Sequence, residues 1–165
     1  MGGKDTDIAR QGRRDRLIRE MDHDPYHSKK KLSEPTICPD CNAVFHEGRW
    51  QWGEAGAGAA ESLCPACERI RDRVPAGFLT ISGEFYGQHA EEIDNLIGNI
   101  EEKEKAEHPL ERIMHKEQDG DDTVYTFTSP HLTRAAGEAI ERAYDGELDF
   151  QYIPDEWMLR LYWKR

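Results

Sequence analysis

Apolar residues recur at helical spacing in two stretches of this chain and at alternate positions in several shorter ones. Between residues 88 and 107, Ala90, Ile93, Leu96, Ile97 and Ile100 return every three or four residues, the period of an amphipathic helix. The other face of this helix is acidic, with Glu91, Glu92, Asp94, Glu101, Glu102 and Glu104 tempered by Lys103 and Lys105, and His108-Pro109 stops it. The second helical stretch opens on Ser129-Pro130, a serine N-cap followed by proline at the first helical position. It carries Leu132, Ala135, Ala136, Ala139, Ile140 and Ala143 on a small-residue face suited to close packing on a sheet, and Asp145-Gly146 ends it.

Strand patterns alternate with these helices. Residues 78–85 read as one strand. Residues 110–116 and 123–128 read as a hairpin with Asp119-Gly120 at the turn. Leu148 to Tyr152 alternates cleanly, and Trp157 to Trp163 reads as a further strand. The order is β-α-β-β-α-β plus one extra C-terminal strand. It predicts an α+β fold, a ferredoxin-like sandwich with two helices on one face of an antiparallel sheet.

The chain before Pro75-Ala76-Gly77 has a different texture. Ala43 to His46 and Arg49 to Trp52 read as two short strands joined at Glu47-Gly48. Gly53 to Ala60 is a loop of small residues, and Glu68 to Arg73 is about a helical turn. Further upstream, residues 8–21 hold Ile8, Leu17, Ile18 and Met21 as the only large apolar anchors of a marginal basic helix, which His23-Asp24-Pro25-Tyr26-His27 breaks. Three segments result: a basic, partly disordered arm (1–35), a small ribbon (36–75) and an acidic α+β domain (76–165).

The four cysteines of the chain all fall in the ribbon, as Cys38-Pro39-Asp40-Cys41 and Cys64-Pro65-Ala66-Cys67. A Cys-x-x-Cys clip sets two sulfurs on one turn, and two clips complete the tetrahedral thiolate shell that Zn2+ favours. The 22 residues between the clips slightly exceed the common spacing, a difference that one longer hairpin absorbs. The competing chemistries are iron of the rubredoxin type, two disulfides, and a redox clip. Disulfides need an oxidising compartment, and the N-terminal MGGKDTDIARQGRRDRL lacks the apolar core of a signal peptide. A redox clip is expected singly, beside a βαβ unit. With four thiolates no ligand position stays open for water, so the expected cofactor is structural Zn2+ on Cys38, Cys41, Cys64 and Cys67. His46 is an alternative ligand, more simply read as a surface histidine.

Charge divides the chain. The net charge of −11 is the sum of +2 over residues 1–37, −2 over 38–77 and −11 over 78–165. An acidic C-terminal half repels phosphate and suits a basic protein partner. Contact with RNA therefore falls to the arm and ribbon. The candidates are Arg13, Arg14, Arg16 and Arg19, with Arg10 beside them, then Lys29, Lys30 and Lys31, and Arg49 with Trp50 and Trp52 on the ribbon. Trp50 and Trp52 share a face if their segment is a strand, where they either cover the small core beside the metal or anchor a partner. No apolar run reaches membrane-span length, and a soluble cytoplasmic protein is expected.

Catalytic motifs are sparse. There is no nucleophile elbow, P-loop or glycine-rich dinucleotide turn, and His89, His108, His115 and His131 are scattered, with capping the simpler role for His108 and His131. Aromatics of the C-terminal half (Phe150, Tyr152, Trp157, Tyr162 and Trp163) concentrate on the last two strands and are read as core or a self-association face.

Several segments carry a resemblance. They are Asp24-Pro25-Tyr26, Glu34 to Cys41, Gly48-Arg49-Trp50-Gln51-Trp52, Cys64 to Cys67, Glu107 to Met114 and His131-Leu132-Thr133-Arg134. Together they resemble a bacterial group of zinc-ribbon proteins described by similarity to the NMD-type large-subunit export adaptor (ribosome stability and mRNA decay). Within that group the likeness spans most of the chain. To the export adaptor itself it spans only the paired Cys-Pro-x-Cys clips; the adaptor has more than one clip pair, this chain one. The resemblance implies a non-enzymatic zinc protein acting near the ribosome or in RNA metabolism. The other expectations are a protein-interaction module with no nucleic-acid role, and an enzyme with its site between ribbon and sandwich.

Overall fold

The computed structural model describes Tyr26 and residues 32–165. The arm candidates Arg13, Arg14, Arg16, Arg19, Lys29, Lys30 and Lys31, and the expected helix over 8–21, lie outside the described residues.

The ribbon is built on a four-stranded mixed sheet, in the order β3-β2-β1-β4. Its members are β1 (Thr36–Ile37), β2 (Val44–His46), β3 (Arg49–Gln51) and β4 (Ala60–Glu61). β2 and β3 form the expected hairpin, with Phe45 opposite Trp50. Both turn residues, Glu47 (φ 53°) and Gly48 (φ 78°), take the left-handed conformation of a two-residue hairpin turn. β1 and β4 were not legible as strands. They are two residues each and run parallel, held at their ends by Ala60 N–H on Pro35 O and Ser62 N–H on Ile37 O. Helix α1 (Pro65–Asp72) follows the second clip.

The second sheet takes the order β6-β7-β5-β9-β8. Its strands are β5 (Gly77–Ser82), β6 (Ile113–Asp119), β7 (Asp122–Phe127), β8 (Glu147–Ile153) and β9 (Met158–Lys164). Helices α2 (Glu84–Glu107) and α3 (Pro130–Tyr144) cover one face, and Ile93, Ile97, Leu132, Ala136 and Ile140 pack with Leu79, Ile81, Leu159, Leu161 and Trp163 in one core. The fold is therefore mixed α+β, as expected, with the element order β-α-β-β-α-β-β.

Three details correct the expectation. The last strand, β9, sits between β5 and β8 and runs parallel to β5, so the sheet is mixed rather than antiparallel. The cause is apolar content. Leu159, Leu161 and Trp163 are fully buried on one side of β9, whereas β8 buries its helix-facing side only partly and fits the edge. Next, Phe85 belongs to α2 rather than to the first strand. α2 starts four residues earlier than expected, with a kink at His89, and Phe85 packs on Tyr144 and Trp163. Finally, the β6–β7 turn is Gly120-Asp121, one residue later, with Gly120 at φ 61°.

The α3 start follows its capping signal. Ser129 Oγ accepts the N–H of Leu132 at 3.0 Å. Gly77 allows α3 to approach the sheet, since a Cβ there would lie 1.7 Å from Thr133 Oγ1.

Candidate metal centre

The clips are shaped by local backbone bonds. In the first, Cys38 N–H donates to Ala43 O (2.8 Å) and Asn42 N–H to Cys38 O (2.9 Å), with Asn42 left-handed at φ 65°. That curl brings both sulfurs to the cluster, and the Ala43 backbone hydrogen-bonds to Cys41. In the second, Cys64 is the N-cap of α1, its sulfur accepts the Cys67 N–H at 3.4 Å, and Pro65 occupies the first turn. Cys67 lies in the first turn of α1, where the positive end of the helix favours anionic sulfur.

Folding brings the two clips together. The sulfurs of Cys38, Cys41, Cys64 and Cys67 all lie within 4.8 Å of one another. Cys41 and Cys64 are 3.7 Å apart, far beyond a disulfide bond, and all four cysteines are free. Four sulfurs at tetrahedral zinc-thiolate distances stand about 3.8 Å apart. The donor set thus fits a metal ion. The site is enclosed: Cys38, Cys64 and Cys67 are buried, and Ala43, Ala66 and Trp50 complete the cluster with Leu32, Phe45, Leu63 and Leu110 around it.

The electrostatics point the same way. The Cys64–Cys41 hydrogen bond holds Cys41 well below the usual thiol range against the opposing effect of burial. The same bond, with burial, pushes Cys64 up. Burial raises Cys67 to about 11, although Arg112 works against it. Four sulfurs in one buried pocket cannot all ionise on their own, and a bound divalent cation removes that conflict.

One protein cation already reaches the cluster. Arg112, just before β6, donates from Nη2 to Cys64 Sγ at 3.0 Å. Burial disfavours its charge, but the charges of Cys64 and Cys67 and a hydrogen bond to Cys67 outweigh burial and raise its pKa. The sequence pattern missed Arg112. Its separation of 48 residues from Cys64 is one that no local period encodes.

The other predicted residues do not gather here. His46 is exposed on β2, 3.8 Å from Glu47, and is no part of the cluster. Arg49 is exposed at the start of β3. Trp50 is corrected as a contact residue: it is 8% exposed, tilted against Phe45, and belongs to the ribbon core. Trp52 lies past the end of β3 and is 38% exposed, with its indole N–H donated to Lys105 O of α2 at 2.6 Å. The two tryptophans therefore do not form one stacking face. Of the histidines, His108 caps α2, His131 lies 3.4 Å from Glu104, His89 stacks on Phe85 and His115 is exposed on β6. Among the described residues no helix is long and apolar enough to cross a membrane.

Comparison with known proteins brings no relative: no family model, no curated protein and no solved structure matches the chain.

Proposed function

We propose that this protein is a non-catalytic adaptor built on structural Zn2+, held by Cys38, Cys41, Cys64 and Cys67. The observation that carries the reading is the enclosed four-sulfur cluster, whose donors are all thiols and leave no ligand position for water or substrate. When bound, the ion supplies folding energy and charge neutralisation to a ribbon in which half of the buried cluster residues are its ligands. Cys41 from the knuckle and Cys67 from the first turn of α1 would serve as ligands beside Cys38 and Cys64, Trp50 shields the centre, and Arg112 faces Cys64.

The adaptor's partner is RNA or a ribonucleoprotein, ribosome-related by the resemblance above, and the protein acts in the cytoplasm. The support is the charge division: residues 1–37 carry +2, and the strongly acidic domain behind them leaves the arm and the exposed Arg49 of the ribbon as the phosphate-facing side. The acidic domain serves a basic protein partner or self-association. We read it as an elaborated ferredoxin-like sandwich, in which β9 is inserted into the sheet.

The test has two parts. Native mass spectrometry of the purified protein should find one zinc per chain. RNA binding in low salt should be measurable, weaken with added salt, and disappear on deletion of residues 1–35. No RNA binding at low salt sinks the RNA reading.

A specific observation favours a second reading, a protein-interaction module. Ile70 and Val74, each 40% exposed, place apolar surface on and just after α1, with Trp52 also partly open on the ribbon. Partners retained in a pull-down after nuclease treatment, and lost in an Ile70→Ser, Val74→Ser variant, would support it over RNA.

A further inference from the structure

We propose that Arg112 of the sheet domain is the electrostatic partner of the metal centre, so that metal bound in the ribbon and docking of the sheet domain strengthen each other. This rests on the metal reading above and extends it across the boundary at residues 75–77.

A divalent ion with four thiolates carries a net charge of −2, and here it would sit in an enclosed site. Cys64 is wholly buried, so its share of that charge is poorly hydrated. The Arg112 guanidinium, 3.0 Å from Cys64 Sγ, is the cation placed to offset it.

The guanidinium is held by bonds that do not involve the metal site. Its Nε donates to Pro109 O at 3.1 Å. The Arg112 N–H donates to Thr128 Oγ1 at 2.9 Å, and Thr128 N–H donates to Arg112 O at 2.9 Å. Thr128 precedes Ser129, the N-cap of α3, so the arginine is anchored where β7 passes into α3. Leu110, two residues before it, packs on the ribbon cluster. The whole 109–113 segment is thus fastened to the sheet domain and touches the ribbon through one charge and one apolar side chain.

Coupling of this kind is reciprocal. If the arginine strengthens the metal's hold, the metal must strengthen the arginine's contact to the same degree. Groups that hydrogen-bond to metal ligands commonly change metal affinity about 10- to 100-fold when removed. Arg112 acts through Cys64, as a positioning residue.

The experiment uses the full chain loaded with one zinc per protein. Zinc release to excess EDTA is followed in wild type, Arg112→Gln, Arg112→Lys and, as a control, Arg142→Ala at an exposed site on α3. Arg112→Gln keeps an N–H donor but removes the charge, and release is expected about 10-fold faster. Arg112→Lys should fall between it and wild type, since it keeps the charge without the planar fork. The control should match wild type. In parallel, hydrogen exchange of wild type is compared with and without zinc. The amides of Arg112 and Ile113 should exchange at least about 10-fold faster without metal, while Ile81 and Trp163 stay protected.

If wild type binds zinc but Arg112→Gln releases it within twofold of the wild-type rate, the proposal is overturned and the metal reading stands. If wild type binds no zinc, both fall. Should Arg112→Gln fail to fold, the wild-type exchange decides: unchanged protection at Arg112 and Ile113 on zinc removal overturns the coupling, and loss confined to the ribbon and this segment supports it.

Discussion

The Arg69 guanidinium lies 5.1 Å from the ring centroid of Trp157, joining the ribbon helix to the start of the last strand. The same guanidinium is 4.4 Å from the ring of Tyr26 and donates to Val74 O at 3.0 Å. Arg69 is only 2% exposed, although its neighbours Arg71 and Arg73 are exposed. A charge this deep is held by flat partners on its faces and a carbonyl at its edge. We expect Arg69→Ala to lower stability by about 2–4 kcal/mol, through the lost charged hydrogen bond, the lost ring contacts and the space left behind. Arg69→Lys should recover only part of it. Urea unfolding measures both, and a loss below about 0.5 kcal/mol for the alanine variant would show that the stack contributes little.

Metal removal should act unevenly. The ribbon cluster of Cys38, Ala43, Trp50, Cys64, Ala66 and Cys67 offers little apolar surface beyond the ligands, whereas the larger domain has its own core around Leu79, Ile97, Leu161 and Trp163. Cys41→Ser is expected to abolish stoichiometric zinc and to strip exchange protection from Val44 to Gln51, leaving Leu79 and Leu161 protected. Loss of protection throughout the chain would show that the larger domain does not fold without the ribbon.

Asp94 on α2 ties the helix to the β6–β7 hairpin. It accepts from Tyr86 Oη (2.8 Å), Tyr125 Oη (2.5 Å) and Lys116 Nζ (2.6 Å). Burial disfavours its charge, but the hydrogen bonds from Lys116, Tyr125 and Tyr86 outweigh burial and hold the carboxyl below its ordinary range. A carboxyl depressed in the folded state contributes stability that is fully present above its unfolded pKa of about 3.9 and is lost as pH falls through the folded value. Asp94→Ala should therefore cost about 2–3 kcal/mol near pH 7 and less in acid. Equal losses at pH 7 and pH 2.5, by thermal or urea unfolding, would contradict this account.

Gly77→Ala tests the packing of α3 on β5. The new methyl would meet Thr133, whose side chain is fully buried and donates to Ser129 O at 2.8 Å. Relief requires α3 to shift or Thr133 to give up that bond, so a loss of about 1–3 kcal/mol is expected. A neutral outcome would mean that the Thr133 side chain re-orients freely.

Much of the larger domain was legible because its signals are local. The serine cap at Ser129, the apolar period from Ile93 to Ile100, the turn glycines Gly48 and Gly120 and the alternation in β8 each act within a few residues. The boundary errors come from competition at junctions. Phe85 looks like a strand residue by type, but Tyr144 and Trp163 draw it into α2. The sequence pattern showed only an acidic face on α2, yet within it Asp94 turns to the tyrosines and Glu101 accepts the Ile113 N–H. The place of β9 depends on a comparison between two strands rather than on either alone: Met158-Leu159-Arg160-Leu161-Tyr162-Trp163 is more apolar than Glu147-Leu148-Asp149-Phe150-Gln151-Tyr152, and the more apolar strand takes the buried position.

By itself, then, the sequence determined the main helices and strands of the larger domain, the ribbon hairpin, the mixed α+β class and the four candidate ligands, because helix period, strand alternation, caps and the geometry of a Cys-x-x-Cys clip are all settled over short distances. Only the tertiary structure decided which sulfurs meet, that β9 enters the sheet beside β5, that Trp50 faces inward, and that Arg112 reaches Cys64 while Arg69 reaches Trp157. Those relationships join residues far apart in the chain. They are selected by how whole surfaces fit and how buried charges find partners, and no short window of sequence contains that choice.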